Sequence, residues 1–494
     1  MFNKNITFLF LLTLLALNIS CSVSANETTK PNIVVILVDD MGWNDVGYHG
    51  SEINTPNIDQ LAADGIELDR FYVQPSCSPT RAALLSGKSP QTLGIYSPFS
   101  KQNPKGLPLS EKLLPQYFQE NGYQTFLTGK WHLGFQQPEY HPMARGFDYF
   151  YGHVTGGIGY WDHVHGGHLD WQRNGKTLRE NGYSTHLIAN DIERLIEDRN
   201  KTQPMFLFAA FNAPHLPNEA PKETINKYSH ISDENRRIHA AMVTELDSAI
   251  GRIKDALKRE GILDNTLIWF MSDNGGLNQH AISPPLVKVA KGLDTVFDGS
   301  APFTFLEFIR TNVLDGGADN YPFRKGKQSV YEGGARVPSV LHWPEKLSPR
   351  KLSHFTTVQD VLPTLLSATG LDIPSGIHGV NTWPQLSNSE TVESHKPSDY
   401  LINAADGEAL YRFPWKLIAL SSGEYELYKL DRDPEEKENL VGKKPSKVDE
   451  LKAALDSWPR SESIHVPIYK VMLDPDFFGG EERLPPIATE TNRL

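Results

Sequence analysis

Apolar residues gather along the chain in short uninterrupted runs, and several of these runs end in charged or amide residues. Ile33-Val34-Val35-Ile36-Leu37-Val38 leads directly into Asp39-Asp40. Met205 to Phe211 ends in Asn212-Ala213-Pro214-His215, and Thr266 to Met271 ends in Ser272-Asp273-Asn274-Gly275-Gly276. β-Branched runs without alternation predict strands buried on both faces, as in a parallel sheet. Gly122 to Gly134 predicts a further short strand that carries Lys130, Trp131 and His132 out at its end, where alternation puts Lys130 and His132 on one side. Helical spacing appears over Pro56 to Gly65, Ser110 to Gly122 and Tyr183 to Asp198. It is clearest over Glu234 to Glu260, where Ile238, Met242, Leu246, Ile250, Ile253 and Leu257 recur and Gly261 stops the pattern. This stripe predicts packing against a sheet and nothing more.

Later in the chain Asp360 to Leu366 predicts a helix, and Ser387 to Pro397 is polar and linker-like. Leu410 to Leu420 and Tyr425 to Leu430 predict a hairpin around Gly423, followed by a helix over Val448 to Leu455. The expected organisation is a leader over 1–25, a main domain over 26–390 and a smaller domain over 391–494. The patternless stretch 277–322 is expected to be an insertion beside the site.

Composition adds bounds. The chain has 494 residues, 39% hydrophobic and 22% charged, enough for a large packed core. A net charge of −12 argues against a nucleic-acid partner, which calls for a basic surface. It leaves room for an anionic substrate, because a cleft can be locally positive on an acidic protein. Lys4, the apolar run Phe8 to Leu17 and Val23-Ser24-Ala25 read as a secretory signal. The run is short for a bilayer, so no stable membrane span is expected. Export to a periplasm or medium follows. Lipid attachment at Cys21 is the weaker alternative, since Asn-Ile-Ser before it fits the usual pattern poorly. Cleavage leaves Cys77 as the one cysteine, so no internal disulfide forms, which favours a bacterial periplasm.

Candidate chemistry sits at the ends of the predicted strands. Adjacent Asp39 and Asp40 repel each other and call for a cation; Asp273 and Asn274 add two oxygen donors, suited to a hard ion. Cys77-Ser78-Pro79-Thr80-Arg81 reads as a helix start, with Ser78 as cap and Pro79 in the first turn. Such a start favours anions, Arg81 adds a planar cation, and a thiol there is expected to be reactive. Gly152 to His168 holds His153, Tyr160, Trp161, His163, His165 and His168. It reads as a sugar-binding loop, with His163 touching substrate, as a surface loop with chance histidines, or as a transition-metal site, although the spacing fits no standard template for one.

Cys77-Ser78-Pro79-Thr80-Arg81 with Leu85-Ser86-Gly87 resembles the signature of the type I sulfatase family. Asp39 to Asp45, Gly122 to Gly134, Asp273-Asn274-Gly275-Gly276 and Arg324 to Pro338 resemble further motifs of that family in order. The resemblance implies an α/β fold like alkaline phosphatase, a mixed sheet sandwiched by helices, with a smaller C-terminal α+β subdomain. It implies that Cys77 is oxidised to formylglycine (3-oxoalanine), whose hydrate is the nucleophile. This needs a formylglycine-generating or anaerobic sulfatase-maturating enzyme as partner. It further implies a Ca2+ ion held by Asp39, Asp40, Asp273 and Asn274 with position 77, and Arg81 stabilising the hydrate. Lys130 and Lys327 bind sulfate, and either His215 or His132 is the general acid. The implied activity is removal of sulfate from a sulfated sugar. A phosphomonoester or phosphonate hydrolase and a non-catalytic sulfated-glycan binder are the alternatives.

Overall fold

Seven consecutive buried residues, Asn32–Val38, form the central strand, β1. In the computed structural model, residues 30–165, 168–278, 316–387 and 399–466 are described. The predicted leader with Cys21, most of the 277–322 stretch and most of the 387–397 linker lie outside those residues.

β1 belongs to a ten-stranded mixed sheet. Its other members are β2 (Ile66–Leu68), β3 (Gln124–Lys130), β4 (Tyr149–His153), β5 (Gln172–Arg173), β6 (Lys176–Thr177), β7 (Met205–Ala210), β8 (Thr266–Ser272), β9 (Ser339–His342) and β10 (Arg350–Leu352). The spatial order is β10-β2-β9-β8-β1-β7-β3-β4-β5-β6. Strands β8, β1, β7, β3 and β4 run parallel, with Val35 opposite both Phe208 and Trp269 and Lys130 opposite His153. Antiparallel β9 and β5 flank this parallel block.

The sheet is buried on both faces, as the unalternating runs predict. Ile33, Val35 and Leu37 pack into one core with the helices α2 (Cys77–Ser86), α3 (Leu114–Glu120) and α6 (Val361–Ala368). Val34, Ile36 and Val38 pack into another with α1 (Pro56–Asp64), α4 (Ser184–Asp198) and α5 (Glu234–Arg259). Asp233 caps α5 by accepting from the Arg236 N–H at 2.8 Å. Two expectations need correction. The Ser110 to Gly122 helix starts only at Leu114, where Pro115 sets the first turn and the Gln116 side chain accepts from the Leu113 N–H. The single strand expected over Leu410 to Leu420 is two, separated by Phe413-Pro414, since proline has no N–H to donate to a ladder.

The C-terminal layer is a four-stranded antiparallel meander, β11 (Tyr400–Ala404), β12 (Gly407–Arg412), β13 (Trp415–Leu420) and β14 (Tyr425–Lys429), followed by α7 (Pro445–Asp456). Leu401, Leu410, Leu417 and Leu427 face Leu451 and Leu455 of α7. The opposite face, with Tyr400, Ile402, Tyr411 and Ile418, packs on Tyr72, Val330, Tyr331 and Phe355. Within that interface Lys416 Nζ donates to Glu332 at 3.0 Å and to Glu436 at 2.7 Å, all three side chains being fully buried. The hydroxyls of Tyr72 and Tyr411 also donate to Glu332. Burial pushes the Glu436 carboxyl up to about 7; Lys416 opposes this and Glu332 reinforces it.

Truncating one partner of a buried ion pair leaves an uncompensated charge. Lys416→Ala is expected to cost about 3–5 kcal/mol in urea unfolding. Lys452→Ala, which breaks an exposed pair with Asp456, should cost less than about 1 kcal/mol. Equal small losses for both would contradict the anchoring role of the buried cluster.

Candidate active site

The site lies where the parallel strands end. Cys77 is the first residue of α2, after extended Ser76. Ser78 is not the cap expected from the sequence. It lies inside the helix, and its hydroxyl donates to the His132 carbonyl at 2.9 Å. Every residue of α2 is buried, and Cys77 is 2% exposed. Burial pushes the Cys77 thiol up, with Lys130 and Lys327 pulling the other way. The expected reactive thiol is therefore a protonated and shielded one.

Three acids and three cations interlock beside it. Asp39 and Asp40 follow β1, and Asp273 follows β8, its N–H bonded to the Val38 carbonyl at 2.9 Å. Asp40 sits at φ 69°, a left-handed conformation that a non-glycine residue keeps only when its surroundings impose it. Lys130 Nζ, at the end of β3, donates to Asp39 Oδ2 at 2.5 Å. Arg81 donates from Nε and Nη2 to Asp273 Oδ2 at 3.0 and 2.9 Å, and from Nη1 to the Lys130 carbonyl at 2.9 Å. Lys327 Nζ donates to Asp40 Oδ2 at 2.7 Å, and Asn274 Nδ2 to Asp40 Oδ1 at 2.7 Å.

The donor set fits a divalent cation. Asp39 Oδ1 and Asn274 Oδ1 are buried and accept no hydrogen bond, an unfavourable state for oxygens out of water. Ligand atoms of Asp39, Asp40 and His215 lie within 4.8 Å of one another. Burial raises the Asp39 carboxyl, but Lys130, His215, Arg81 and Lys327 outweigh it and hold the group well below the usual carboxylate range. Burial and the Asp39 charge push Asp273 up to about 7, against Arg81 and Lys130.

The histidines differ in tautomer. His132 Nε2 faces the Phe99 carbonyl at 2.9 Å and must donate to it, so Nδ1 is the acceptor that meets Cys77 Sγ at 3.2 Å. Burial and the Lys130 charge keep this imidazole neutral. His215 Nδ1 donates to the Leu216 carbonyl at 2.6 Å, leaving Nε2 turned toward Asp40 Oδ2 at 3.6 Å. Strand alternation does not bring His132 beside Lys130: β3 ends at Lys130, and His132 turns in at φ 60°.

Cys77, Arg81, Lys130, His132, His215, Lys327, Asp39, Asp40, Asp273 and Asn274 are thus drawn together. His163 is not among these contacts. It is 1% exposed, stacks on Trp171 with ring centroids 4.5 Å apart, and turns Nε2 to the Gly182 carbonyl. Its expected substrate contact gives way to packing. Tyr160 is buried too, with its hydroxyl 2.8 Å from the His215 carbonyl, while its neighbour Trp161 is 49% exposed. Lys325, in the same turn as Lys327, pairs with Asp406 of the C-terminal layer at 3.1 Å.

Two residues escaped the sequence reading. Asn320 bonds both the N–H and the carbonyl of Gly276 and the carbonyl of Lys325. Asp406 also accepts from Ser329 Oγ and the Val330 N–H. Both fix the turn that presents Lys327. Asn320 and Asp406 gave no signal in the sequence because Gly276, Ser329 and Val330, which they bond, lie 44 to 77 residues away.

A family model described as Sulfatase matches residues 31–371, and one described as N-sulphoglucosamine sulphohydrolase, C-terminal, matches residues 324–458. Arylsulfatase J of Mus musculus is 35% identical over 73% of this chain and 56% of its own length. N-acetylgalactosamine-6-sulfatase of Mus musculus is 31% identical over 77% of this chain and 71% of its own. The crystal structure of Ps i-CgsB in complex with k-i-k-neocarrahexaose superposes with a TM-score of 0.77 at 29% identity, covering 90% of this chain and 96% of that one.

Two measurements check this geometry. Unoxidised Cys77 in the native protein should alkylate at pH 8 at least about 100-fold more slowly than in urea; equal rates would contradict its burial. Calcium at about 100 times its dissociation constant should stabilise chelator-treated protein by about 2.7 kcal/mol. Asp40→Asn should abolish that gain, and an undiminished gain in the variant would place the cation elsewhere.

Proposed function

The chain belongs to the sulfatase family as a sulfuric ester hydrolase, and we propose that it removes sulfate from a sulfated carbohydrate through a formylglycine formed from Cys77. The observation that carries this reading is the set of fixed charges around one residue. Arg81, Lys130 and Lys327 converge with the carboxylates of Asp39, Asp40 and Asp273 beside Cys77, which His132 meets at 3.2 Å. A sulfate monoester is a weakly electrophilic anion. Hydrolysis calls for charge balance on its oxygens, an aligned nucleophile and a proton for the departing oxygen.

Asp39, Asp40, Asp273 and Asn274 would hold Ca2+, which supplies Lewis-acid polarisation of a sulfate oxygen and favours ionisation of an adjacent hydroxyl. Oxidised and hydrated, position 77 would supply two hydroxyls on one carbon, one to attack and one whose ionisation regenerates the aldehyde. In the structure the Cys77 Sγ stands for one of those oxygens. His132 Nδ1, an acceptor because Nε2–H is committed to Phe99, takes a proton from position 77. Arg81, held on two sides by Asp273 and the Lys130 carbonyl, fixes charge next to the same residue. Lys130 and Lys327 balance the sulfate oxygens. His215 is the general acid in its protonated form: Nδ1–H stays on the Leu216 carbonyl, and the second proton, on Nε2 beside Asp40 Oδ2, passes to the leaving oxygen.

A sulfated sugar as substrate is supported by the similar proteins, one named N-acetylgalactosamine-6-sulfatase and one solved in complex with k-i-k-neocarrahexaose. The short apolar leader supports export, and formylglycine at position 77 calls for a maturation enzyme as partner. No helix of the described residues is long and apolar enough to cross a membrane.

His215→Ala should lower turnover of sulfated oligosaccharides by about 100-fold or more. Turnover of nitrophenyl sulfate, whose leaving group needs no proton, should fall far less. Equal losses on both substrates would reject His215 as the acid, and absence of sulfate release from every sulfated oligosaccharide tried would reject the substrate class.

A further inference from the structure

A loop that the mechanism does not use forms a wall against both catalytic imidazoles. The His132 N–H donates to the Val154 carbonyl at 3.1 Å, and the Trp131 N–H to the His153 carbonyl at 3.0 Å. Two residues on, the backbone passes so close that a Cβ on Gly156 would lie 2.6 Å from His132 Cε1 and 2.8 Å from its Nε2. A Cβ on Gly157 would lie 3.1 Å from both Cε1 and Nδ1 of His215. The segment thus contacts the one ring that accepts from position 77 and the one that donates to the leaving oxygen. A side chain at 156 would push the His132 ring aside, and one at 157 would crowd the His215 ring by a few tenths of an ångström.

One side chain holds this segment in place. Asp170, 2% exposed, accepts from the Val154 N–H at 3.1 Å, from the Thr155 N–H at 2.7 Å and from Thr155 Oγ1 at 2.5 Å. Its own N–H donates to the His163 carbonyl at 2.9 Å, and His163 is in turn locked by its stack on Trp171. Burying a carboxylate is costly unless its oxygens are well bonded, and here the bonds converge on the turn that leads into Gly156 and Gly157.

We infer that Asp170 is a positioning residue for the sulfatase reaction: by clamping Val154 and Thr155 it presses Gly156 and Gly157 against His132 and His215 and fixes the angles of the two imidazoles. The inference rests on the acid role given to His215 above. It also gives the histidine- and aromatic-rich loop a function other than substrate contact. A small displacement of a proton-transferring group costs on the order of 100-fold in rate without an equal cost in binding.

Asp170→Asn keeps the shape and replaces an acceptor oxygen with a donor. Per folded, aldehyde-bearing molecule, kcat on a sulfated oligosaccharide should fall about 10–100-fold with KM within about 3-fold. The fall on nitrophenyl sulfate should be at least about 5-fold smaller, because His215 is displaced and that ester needs no acid. Thr155→Val, which removes only the hydroxyl bond, should show the same selectivity to a smaller degree should the first variant fold poorly. Gly157→Ala, which crowds His215 and leaves the Asp170 bonds intact, should reproduce it. A kcat within about 3-fold of the parent would overturn the inference, and equal losses on both esters would overturn its His215 half, since displacing His132 alone slows attack on either ester. His215→Ala measured alongside separates the two causes. Selectivity in His215→Ala but not in Asp170→Asn removes the Asp170 role toward His215 alone; selectivity in neither removes the acid assignment and that half of the inference with it.

Discussion

The structure depends on keeping three acids and three cations together at the ends of the parallel strands of one sheet. Asp39, Asp40 and Asp273 are buried, as are Arg81 and Lys130, with Lys327 nearly so. Charges taken out of water are tolerated only when they are paired and hydrogen-bonded, so each side chain here has its position dictated by another. The backbone supplies the rigidity. Asp39 N–H bonds the Ala213 carbonyl and Asp273 N–H bonds the Val38 carbonyl, which ties the ends of β1, β7 and β8 into one piece. A sheet buried on both faces gives those ends little freedom to shift.

Other parts of the molecule act as braces for those strand ends. Helix α2 brings Cys77 and Arg81 in from one core, and α4 and α5 pack the opposite face. The C-terminal layer reaches the site indirectly, through Asp406 and its hold on the turn carrying Lys327. Buried Lys416 anchors that layer to Glu332, within the same motif. Charge balance, not an apolar pocket, is the organising feature, as expected of a site for a small anion whose reaction develops charge on oxygen.

Much of this was legible in the sequence, for a physical reason. A parallel strand buried on both faces must be apolar throughout, so polar residues at its end stand out: Asp39-Asp40 after Val38, and Asp273-Asn274 after Ser272. Helix α5 was legible because its stripe and its Gly261 stop are local. What could not be read depends on contacts between distant segments. Ser78 looked like a cap but bonds His132, and Cys77 looked reactive but is shielded by the strand ends around it. His163, Tyr160 and Lys325 carry residue types suited to binding, yet a Trp171 face, a His215 carbonyl and Asp406 claim them. The clamps at Asn320, Asp406 and Asp170 leave no trace in spacing, since their partners lie on other segments of the chain.

The central claim is that Cys77 works as an aldehyde and not as a thiol, and the mass of its peptide tests it most directly. In protein made alongside an active maturation system, the peptide should be lighter than the cysteine form by about 18 Da, a change outside the ordinary cysteine oxidation ladder. A surviving thiol, in cells that convert a control sulfatase and in protein that still releases sulfate, would contradict the account.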